Sequence, residues 1–538
     1  MATLVTLPCK LRAESVAAWG VSPSAALSNN PQPWLKAMAA AGATTVRGFH
    51  TSKSLAELQP YSEAKLRLSG ILMWSPTRPM TMPVSDLAGF RRYVSEHVAR
   101  YRKLVSSWEV WNEPPNFTAD TTPKSYAAVV ATAYDAAKAI DPSLQIGLAA
   151  KSVHIRFLAD TIAAGARDKF DFVSVHPYEV AALIPQGCER TFLGITSNLR
   201  AMLRELNPKR ANVPIRFTEV GLELHDKGRY PVDEAVQADT LVKIFSMAFA
   251  QGVEQVDWFD PRDSEGKHLG LQRSDGSARP AYEAYKQLRA ALGCKPKFLG
   301  YVGLTPASLG FLFEGPDADV MVIWLPPHTT KTIKLEAAAT LITPASGEQR
   351  YTESVALGAA ARLLLAPRNS QLASAWRKRA NATRAPWDQS PATSEISLQM
   401  GAATPAVCLI DADPSFRSQQ SSEFDLTHSR GAWFAIDPKF VGYAGAPIEV
   451  TLVARGHGRD TSGFNLKYES RRSSADPNDN GMHVAGHWNF VKGTAPVTFK
   501  WQIDDARFVS KYGRNVGVDC DTSDHCNFSI LNLSIRKR

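Results

Sequence analysis

Through about residue 293, short apolar runs alternate with longer stretches whose apolar positions recur every three or four residues. Strand-like runs are read at Val16 to Gly20, Thr44 to His50, Leu68 to Trp74, Ser107 to Asn112, Ile146 to Ala150, Phe170 to His176, Ile215 to Glu219 and Val253 to Phe259. The helices between them carry start and stop signals. Ser85 or Asp86 can cap a helix with Leu87, Phe90, Val94, Val98 and Tyr101 on one face; Thr122 and Pro123 open another, which ends before Pro142. Further helical runs are Phe192 to Leu206, Asp233 to Gln251 and Pro280 to Leu292. Eight strand-then-helix units, with strands apolar enough to be buried on both faces, predict a (β/α)8 TIM barrel over residues 1–293.

After residue 293 the helical period stops. Alternating runs such as Val320 to Leu325 and Ala361 to Leu365, set between Gly and Pro turns, predict a small antiparallel β domain over 294–368. The Ser-, Ala- and Arg-rich stretch 369–394 reads as a linker with at most one helical turn near Trp376. Residues 395–538 alternate again at Pro447 to Val453, Val497 to Trp501 and Ile530 to Ile535, the pattern of a jelly-roll-like β-sandwich.

A chain of 538 residues exceeds what one core holds, in keeping with several domains. Hydrophobic residues at 44% and charged residues at 21% are ordinary globular values. The balance of 61 basic and 52 acidic residues, net +9, would suit an acidic glycan or simply a solvated surface, and no nucleic-acid-binding signature accompanies it. No apolar run reaches the roughly 18–20 residues that cross a bilayer, so no membrane partner is expected. Met1 to Lys10 lacks the form of a signal peptide, which implies a cytoplasmic protein or a chain that begins after a removed signal. Of the six cysteines, Cys520 and Cys526 are close enough to bridge, and Cys9, Cys188, Cys294 and Cys408 have no metal-like spacing. The even number leans toward a secreted or periplasmic location.

Candidate chemistry lies at two strand ends. Glu113, in Trp108-Glu109-Val110-Trp111-Asn112-Glu113-Pro114, and Glu219, in Phe217-Thr218-Glu219-Val220-Gly221, each stand where a strand gives way to a loop, on the rim where barrels gather catalytic residues. Cleavage of an acetal between sugars needs one carboxyl to protonate the leaving oxygen and a second to meet the oxocarbenium-like carbon from the other face. Two glutamates so placed point to a glycosidase.

The Trp-Asn-Glu-Pro and Thr-Glu-Val-Gly runs resemble the acid/base and nucleophile motifs of the clan A retaining glycoside hydrolases, over roughly residues 10–293. With a small β domain after the barrel, the chain looks most like glycoside hydrolase family 39 and its polysaccharide-cleaving relatives, family 5 arrangements being the alternative. The resemblance implies Glu113 as general acid/base, Glu219 as nucleophile and Asn112 as partner of the sugar 2-hydroxyl. It implies that Arg47 holds Glu219 ionised through a bidentate contact; the competing reading of Arg47 is a structural ion pair. The charge of Glu219 is expected to raise the Glu113 pKa. His176 and Tyr178 resemble the pair on the sixth strand that reaches the nucleophile, and Trp258 the sugar-stacking tryptophan of the eighth. Trp74, Trp111 and His50 could line the same mouth. Each of these rings has an alternative place in the core, as do Trp433, Phe434, Tyr443, Trp488 and Trp501 of a C-terminal module that could otherwise bind glycan.

No nucleophile elbow, phosphate loop, dinucleotide fingerprint or zinc-protease motif is present, so neither cofactor nor metal is expected. The expected partner is a carbohydrate. The expected reaction is retaining hydrolysis of O-glycosyl bonds in a poly- or oligosaccharide; a transglycosylase using the same glutamates, or a catalytically inactive carbohydrate-binding protein, are the rivals. Sugar, linkage and oligomeric state are not encoded in these motifs.

Overall fold

The computed structural model describes residues 19–77, 79–116, 118, 120–226, 231–388, 393–400, 407–411, 423–427, 429–459, 461–472, 481–509, 511–522 and 524–538. Eight parallel strands close into a barrel in sequence order. They are β1 (Trp19–Val21), β2 (Thr45–Gly48), β3 (Arg67–Leu72), β4 (Val105–Val110), β5 (Gln145–Ala150), β6 (Phe172–Val175), β7 (Ile215–Val220) and β8 (Gln255–Trp258). Each predicted run overlaps one of them, with ends differing by one or two residues in several; the expected start of the first, Val16, lies outside the described residues.

Alternation along each strand sends one set of side chains to the helix layer and the other into the barrel. Val46, Trp108, Ile146, Val173, Phe217, Val256 and Trp258 form the outer, apolar set, all buried. The inner set includes Arg47, Glu109, Arg216, Gln255 and Asp257, also buried. Most of these groups find polar partners. Arg216 bonds Glu254 at 2.9 Å, contacts Gln145 and lies 3.9 Å over the Phe172 ring. Gln255 Nε2 donates to both Asp257 oxygens at 3.0 and 2.8 Å. A Cβ on Gly20 would fall 1.6 Å from Asp257 Oδ1, so a glycine there is what admits the carboxyl.

Helix punctuation follows the predicted signals. Asp86 Oδ1 accepts from Gly89 N at 2.7 Å at the head of Leu87–Tyr101, and Thr122 caps Pro123–Ile140. The run expected as one helix from Phe192 to Leu206 is two, Glu189–Leu193 and Ile195–Leu206, interrupted at Gly194. A Cβ at Gly194 would meet the Pro438 ring at 2.2 Å, so this residue serves a close approach rather than the helix.

The small β domain is a six-stranded sheet of β9 (Lys297–Tyr301), β10 (Leu309–Glu314), β11 (Ala318–Trp324), β12 (Lys331–Thr343), β13 (Glu348–Leu357) and β14 (Arg362–Pro367), in the order β13-β12-β14-β11-β10-β9. The linker expected at 369–394 is in large part something else. Gln371–Ala382 is a helix capped by Ser370, and its Leu372, Ala373, Trp376 and Ala380 join the sheet's core beside Leu312, Met321 and Leu364. Apolar residues at helical spacing outweigh a Ser- and Arg-rich composition.

The chain divides into two compact units. The barrel and the six-stranded sheet make the first, while the second joins the segment Ala182–Met202 to the chain from Pro386 onward. In the second unit, strands Glu395–Gln399, Phe528–Lys537, Ala446–Gly456 and Pro496–Ala506 form one antiparallel sheet, with Phe424–Asp425 beside it. Val407–Asp411, Gly431–Ile436, Val516–Asp519, Gly463–Glu469 and Met482–Val484 form another. Both sheets contribute to one apolar core. Segment 182–202 is held in this unit by the Cys188–Cys408 disulfide, by Arg190 on Asp437 at 2.6 Å, and by Asn198 Oδ1 accepting from Tyr443 N at 2.9 Å. Cys520 and Cys526 are bridged. Phe434, Tyr443 and Trp501 are core residues here, and Trp433 lies against Gly517, so they do not form the exposed aromatic surface that a glycan platform would use.

Candidate active site

The carboxyl ends of the barrel strands bring Arg47, Asn112, Glu113, His176, Tyr178 and Glu219 together. Glu113 follows β4 in a turn where Trp111 and Glu113 both adopt positive φ, 71° and 46°. For residues with a Cβ this costs about 1–3 kcal/mol each, a strain that persists where surrounding contacts dictate the side chain's direction. Glu219 is near the end of β7, and the pairing of β7 with β8 shifts register between Phe217 and Val220. Such a bulge re-aims a side chain, so that Thr218 points inward to His176 while Glu219 still reaches the mouth.

Arg47 reaches from β2 through the middle of the cluster. Its Nη1 bonds Glu219 Oε1, its Nη2 donates to Asn112 Oδ1 at 2.8 Å, and its Nε donates to Glu109 Oε2 at 2.7 Å. The contact with Glu219 is therefore single, not the bidentate one expected, because the rest of the guanidinium fork engages Glu109 and Asn112. With its Oδ1 taken by Arg47, Asn112 has its Nδ2 left as the donor on the other side of the amide. Tyr178 Oη donates to Glu219 Oε2 at 3.0 Å. Burial and the charges of Glu219 and Glu113 push the Tyr178 phenol well up, so it remains a donor.

Glu113 has its own set of partners. His176 Nδ1 lies 2.9 Å from Oε1 and Asn116 Nδ2 donates to Oε2 at 3.1 Å, while Lys151 Nζ holds Asn116 Oδ1 at 3.1 Å. Burial raises the Glu113 pKa, but the hydrogen bond and charge of His176, with Asn116 and Arg47, bring it down to about 2. This reverses the expected upward shift. The anticipated neighbour Glu219 is there, but His176 stands closer and is itself raised: burial works against its charge, and Glu219 and Glu113 outweigh that. The pair thus retains a proton, held on the histidine side. Side chains of Glu113 and Glu219 remain 18% and 12% exposed, open to a molecule in the mouth.

One oxygen from each of Glu113 and Glu219 and a nitrogen of His176 lie within 4.8 Å of one another. Geometrically the three could ligate a cation. The donors already aimed at both Glu219 oxygens, from Arg47 and Tyr178, suit a free carboxylate instead.

Four expected lining residues are engaged in other contacts. Trp258 is buried in the outer set of β8 and donates its Nε1–H to Leu269 O at 3.0 Å, so it offers no face for stacking. The residue in phase with inward-facing Asp257 is Phe259, which is partly exposed and sets its ring edge-on to Tyr178 at 6.1 Å. His50 is buried against Tyr61, and burial lowers its pKa to about 4. Trp74 is half-buried and stacks on Phe90 and Tyr93 of the helix Leu87–Tyr101. Trp111 is wholly buried. The sequence reading also passed over Glu109, Asn116, Thr218 and Asp260. Asp260 follows β8, accepts from Ser24 N at 3.2 Å and Ser264 Oγ at 2.9 Å, and burial raises its pKa to about 7.

Residues 85–257 match the family model described as Glycosyl hydrolases family 39. Among solved structures, a family 39 glycoside hydrolase from the gut symbiont Bacteroides cellulosilyticus WH2 is 17% identical, with 64% of this chain and 80% of that one covered and a TM-score of 0.53. A monomeric beta-xylosidase from Caulobacter crescentus CB15 is 15% identical, with 66% and 98% covered and a TM-score of 0.48. At 17% identity the first of these speaks to the fold alone. No curated protein matches the chain.

Proposed function

Taking as premise that the chain is a glycoside hydrolase with a family 39 domain in its barrel, we propose that it cleaves O-glycosyl bonds of a poly- or oligosaccharide with retention of configuration. The observation that carries this reading is the approach of the two carboxylates, an oxygen of Glu113 to within 4.8 Å of an oxygen of Glu219. Retaining enzymes keep their two carboxyl groups about 5–5.5 Å apart, whereas inverting enzymes need about 6.5–9.5 Å to admit a water.

In the first step Glu219 attacks the anomeric carbon, and the bond to the leaving oxygen breaks as that oxygen takes the proton of the Glu113–His176 pair. Arg47 and Tyr178 orient the Glu219 carboxylate, one on each oxygen. Neutralisation of Glu219 by the ester bond removes one of the two charges that keep the proton on His176. In the second step Glu113, now a base, takes a proton from water as the water oxygen displaces Glu219. Asn112 Nδ2 is positioned to donate to the 2-hydroxyl, and Phe259 offers an apolar surface to the sugar. The disulfides Cys188–Cys408 and Cys520–Cys526 among the described residues favour a secreted or periplasmic location. The two C-terminal sheets form a jelly-roll-like sandwich in this reading, accessory to catalysis.

The test is release of reducing sugar from plant, microbial and acidic polysaccharides and from aryl glycosides, by wild type, Glu113→Ala and Glu219→Ala. Loss of activity in both, with azide restoring Glu219→Ala to give the inverted glycosyl azide, is the expected result. Full activity in either variant would remove that glutamate from the mechanism. Glycan binding without cleavage by the wild type would favour the binding-protein alternative.

A further inference from the structure

Glu113 Oε1 lies 2.9 Å from His176 Nδ1, and its other oxygen, Oε2, accepts from Asn116 Nδ2 at 3.1 Å. The far side of that amide, Oδ1, accepts from Lys151 Nζ at 3.1 Å. An ammonium has three donors and no acceptor, and a carboxylate only accepts, so the amide fits between them in one orientation. Turned over, it would set N–H against ammonium and carbonyl against carboxylate. Lys151 is tied to the same turn through its backbone: its N donates to Pro114 O at 3.0 Å, while Asn116 N donates to Glu113 O at 2.7 Å. The residue that follows β5 thus grips, by main chain and side chain, the turn that carries the carboxyl after β4. Its side-chain bond goes to an amide and not to a carboxylate, which makes it an orienting contact more than an ion pair. Hydrogen bonds in a chain polarise one another, so an ammonium on Oδ1 strengthens the N–H that Nδ2 presents.

We propose that Lys151, acting through Asn116, fixes which oxygen of Glu113 handles the proton: Oε2 stays an acceptor, and the proton given to the leaving oxygen is carried on Oε1. This rests on Glu113 being the acid/base. A protonated carboxyl has one hydroxyl and one carbonyl oxygen, and the carbonyl is the better acceptor, so a donor held on Oε2 makes Oε1 the hydroxyl. Oε1 is also the oxygen beside His176 Nδ1, so the proton enters and leaves Glu113 by one atom. In the first step it passes from Oε1 to the leaving oxygen, whose bond to the anomeric carbon breaks as Glu219 bonds to that carbon. Glu113 is left a carboxylate with the Asn116 N–H still on Oε2. In the second step the proton taken from water returns to Oε1. Asn116 and Lys151 act through Glu113 and are positioning residues.

The experiment has two readouts on the full chain. Nitrogen-15 spectra of asparagine-labelled protein, with Asn116 identified by its absence in Asn116→Leu, report the two Nδ2 protons. A proton bonded to a carboxylate separates from its free partner. That separation is expected in the wild type, to shrink in Glu113→Gln and in Lys151→Met, and to persist in Lys151→Arg, which keeps a donor-only cation. An Asn116 signal indifferent to Lys151→Met overturns the proposal, whatever the enzyme cleaves. The second readout is the ratio of kcat/KM on a phenyl glycoside, whose leaving group needs a proton, to that on the dinitrophenyl glycoside of the same sugar, whose leaving group does not. Lys151→Met is expected to lower this ratio about tenfold, part of the 10²–10⁴-fold that general acid catalysis typically contributes, with Lys151→Arg restoring most of it. A merely structural loss would slow both substrates alike, so an unmoved ratio in a folded Lys151→Met sinks the idea. Glu113→Ala should lower the ratio further still. An unchanged ratio there would defeat the acid/base assignment, and the amide spectrum would still show whether Lys151 holds Asn116.

Discussion

At mid-height the barrel is filled by Arg47, Glu109, Arg216, Gln255 and Asp257, whereas the core of the C-terminal sheets is filled by Phe434, Val450, Leu466, Val518 and Ile530. Both interiors are closed to water, but their energetics run in opposite senses. The C-terminal core gains stability from each apolar group removed from water. Buried charges lose hydration, recover it only through mutual pairing, and often do no better than apolar residues of similar volume. A charged layer directly beneath a pair of glutamates is therefore better understood as orientation of the site than as a device for stability. Asp257 fits that view: burial and the neighbouring Glu109 charge push its carboxyl well up, against adding further negative charge below the mouth.

The contrast can be broken by substitution. The largest effect is expected at Glu219→Ala, with kcat/KM on an aryl glycoside falling at least about 10⁴-fold while the melting temperature hardly changes. Next comes Arg47→Met, which strands Glu109 and should cost about 3–5 kcal/mol in denaturant unfolding as well as activity; a stability change near zero would mean that the charged layer is not coupled as described. Phe434→Ala should cost a similar 3–5 kcal/mol through the cavity it leaves, yet leave the shape of the pH–rate profile unchanged. Smaller is Phe259→Ala, expected to lower kcat/KM about tenfold as an apolar contact with the sugar is lost, against little change for Trp258→Phe. The reverse order would restore Trp258 as the platform. The pH dependence sharpens the same contrast: raising pH takes the shared proton from the Glu113–His176 pair, so activity should fall on the alkaline side above the ordinary imidazole value of 6.5, since His176 is raised.

Much of this was readable along the chain. Eight apolar runs gave eight strands because each is buried on both faces, and Glu113, Glu219, Arg47, His176 and Tyr178 fall at strand ends where only the mouth is available to them. The choice of Trp258 over Phe259 failed on parity, and the signal was present: a carboxyl at Asp257 must face the polar interior, which turns Trp258 outward. Glu109 went unnoticed because apolar filling is the usual expectation for a barrel interior. The helix Gln371–Ala382 was also legible, since Leu372, Trp376 and Ala380 share a face behind a Ser370 cap. The bulge that re-aims Glu219 has no such mark, being decided by the pairing of β7 with β8.

The membership of Ala182–Met202 in the second unit bears on how this protein can be made and cut. On the ribosome, this segment emerges before β7 and β8, yet Cys408, Asp437 and the backbone of Tyr443, which hold it, are synthesised some two hundred residues later. Truncation after residue 385 would not detach a self-contained module. It would leave the connection between β6 and β7, the two strands that present His176, Tyr178 and Glu219, without its native cover, so a minimal catalytic fragment would need that surface redesigned.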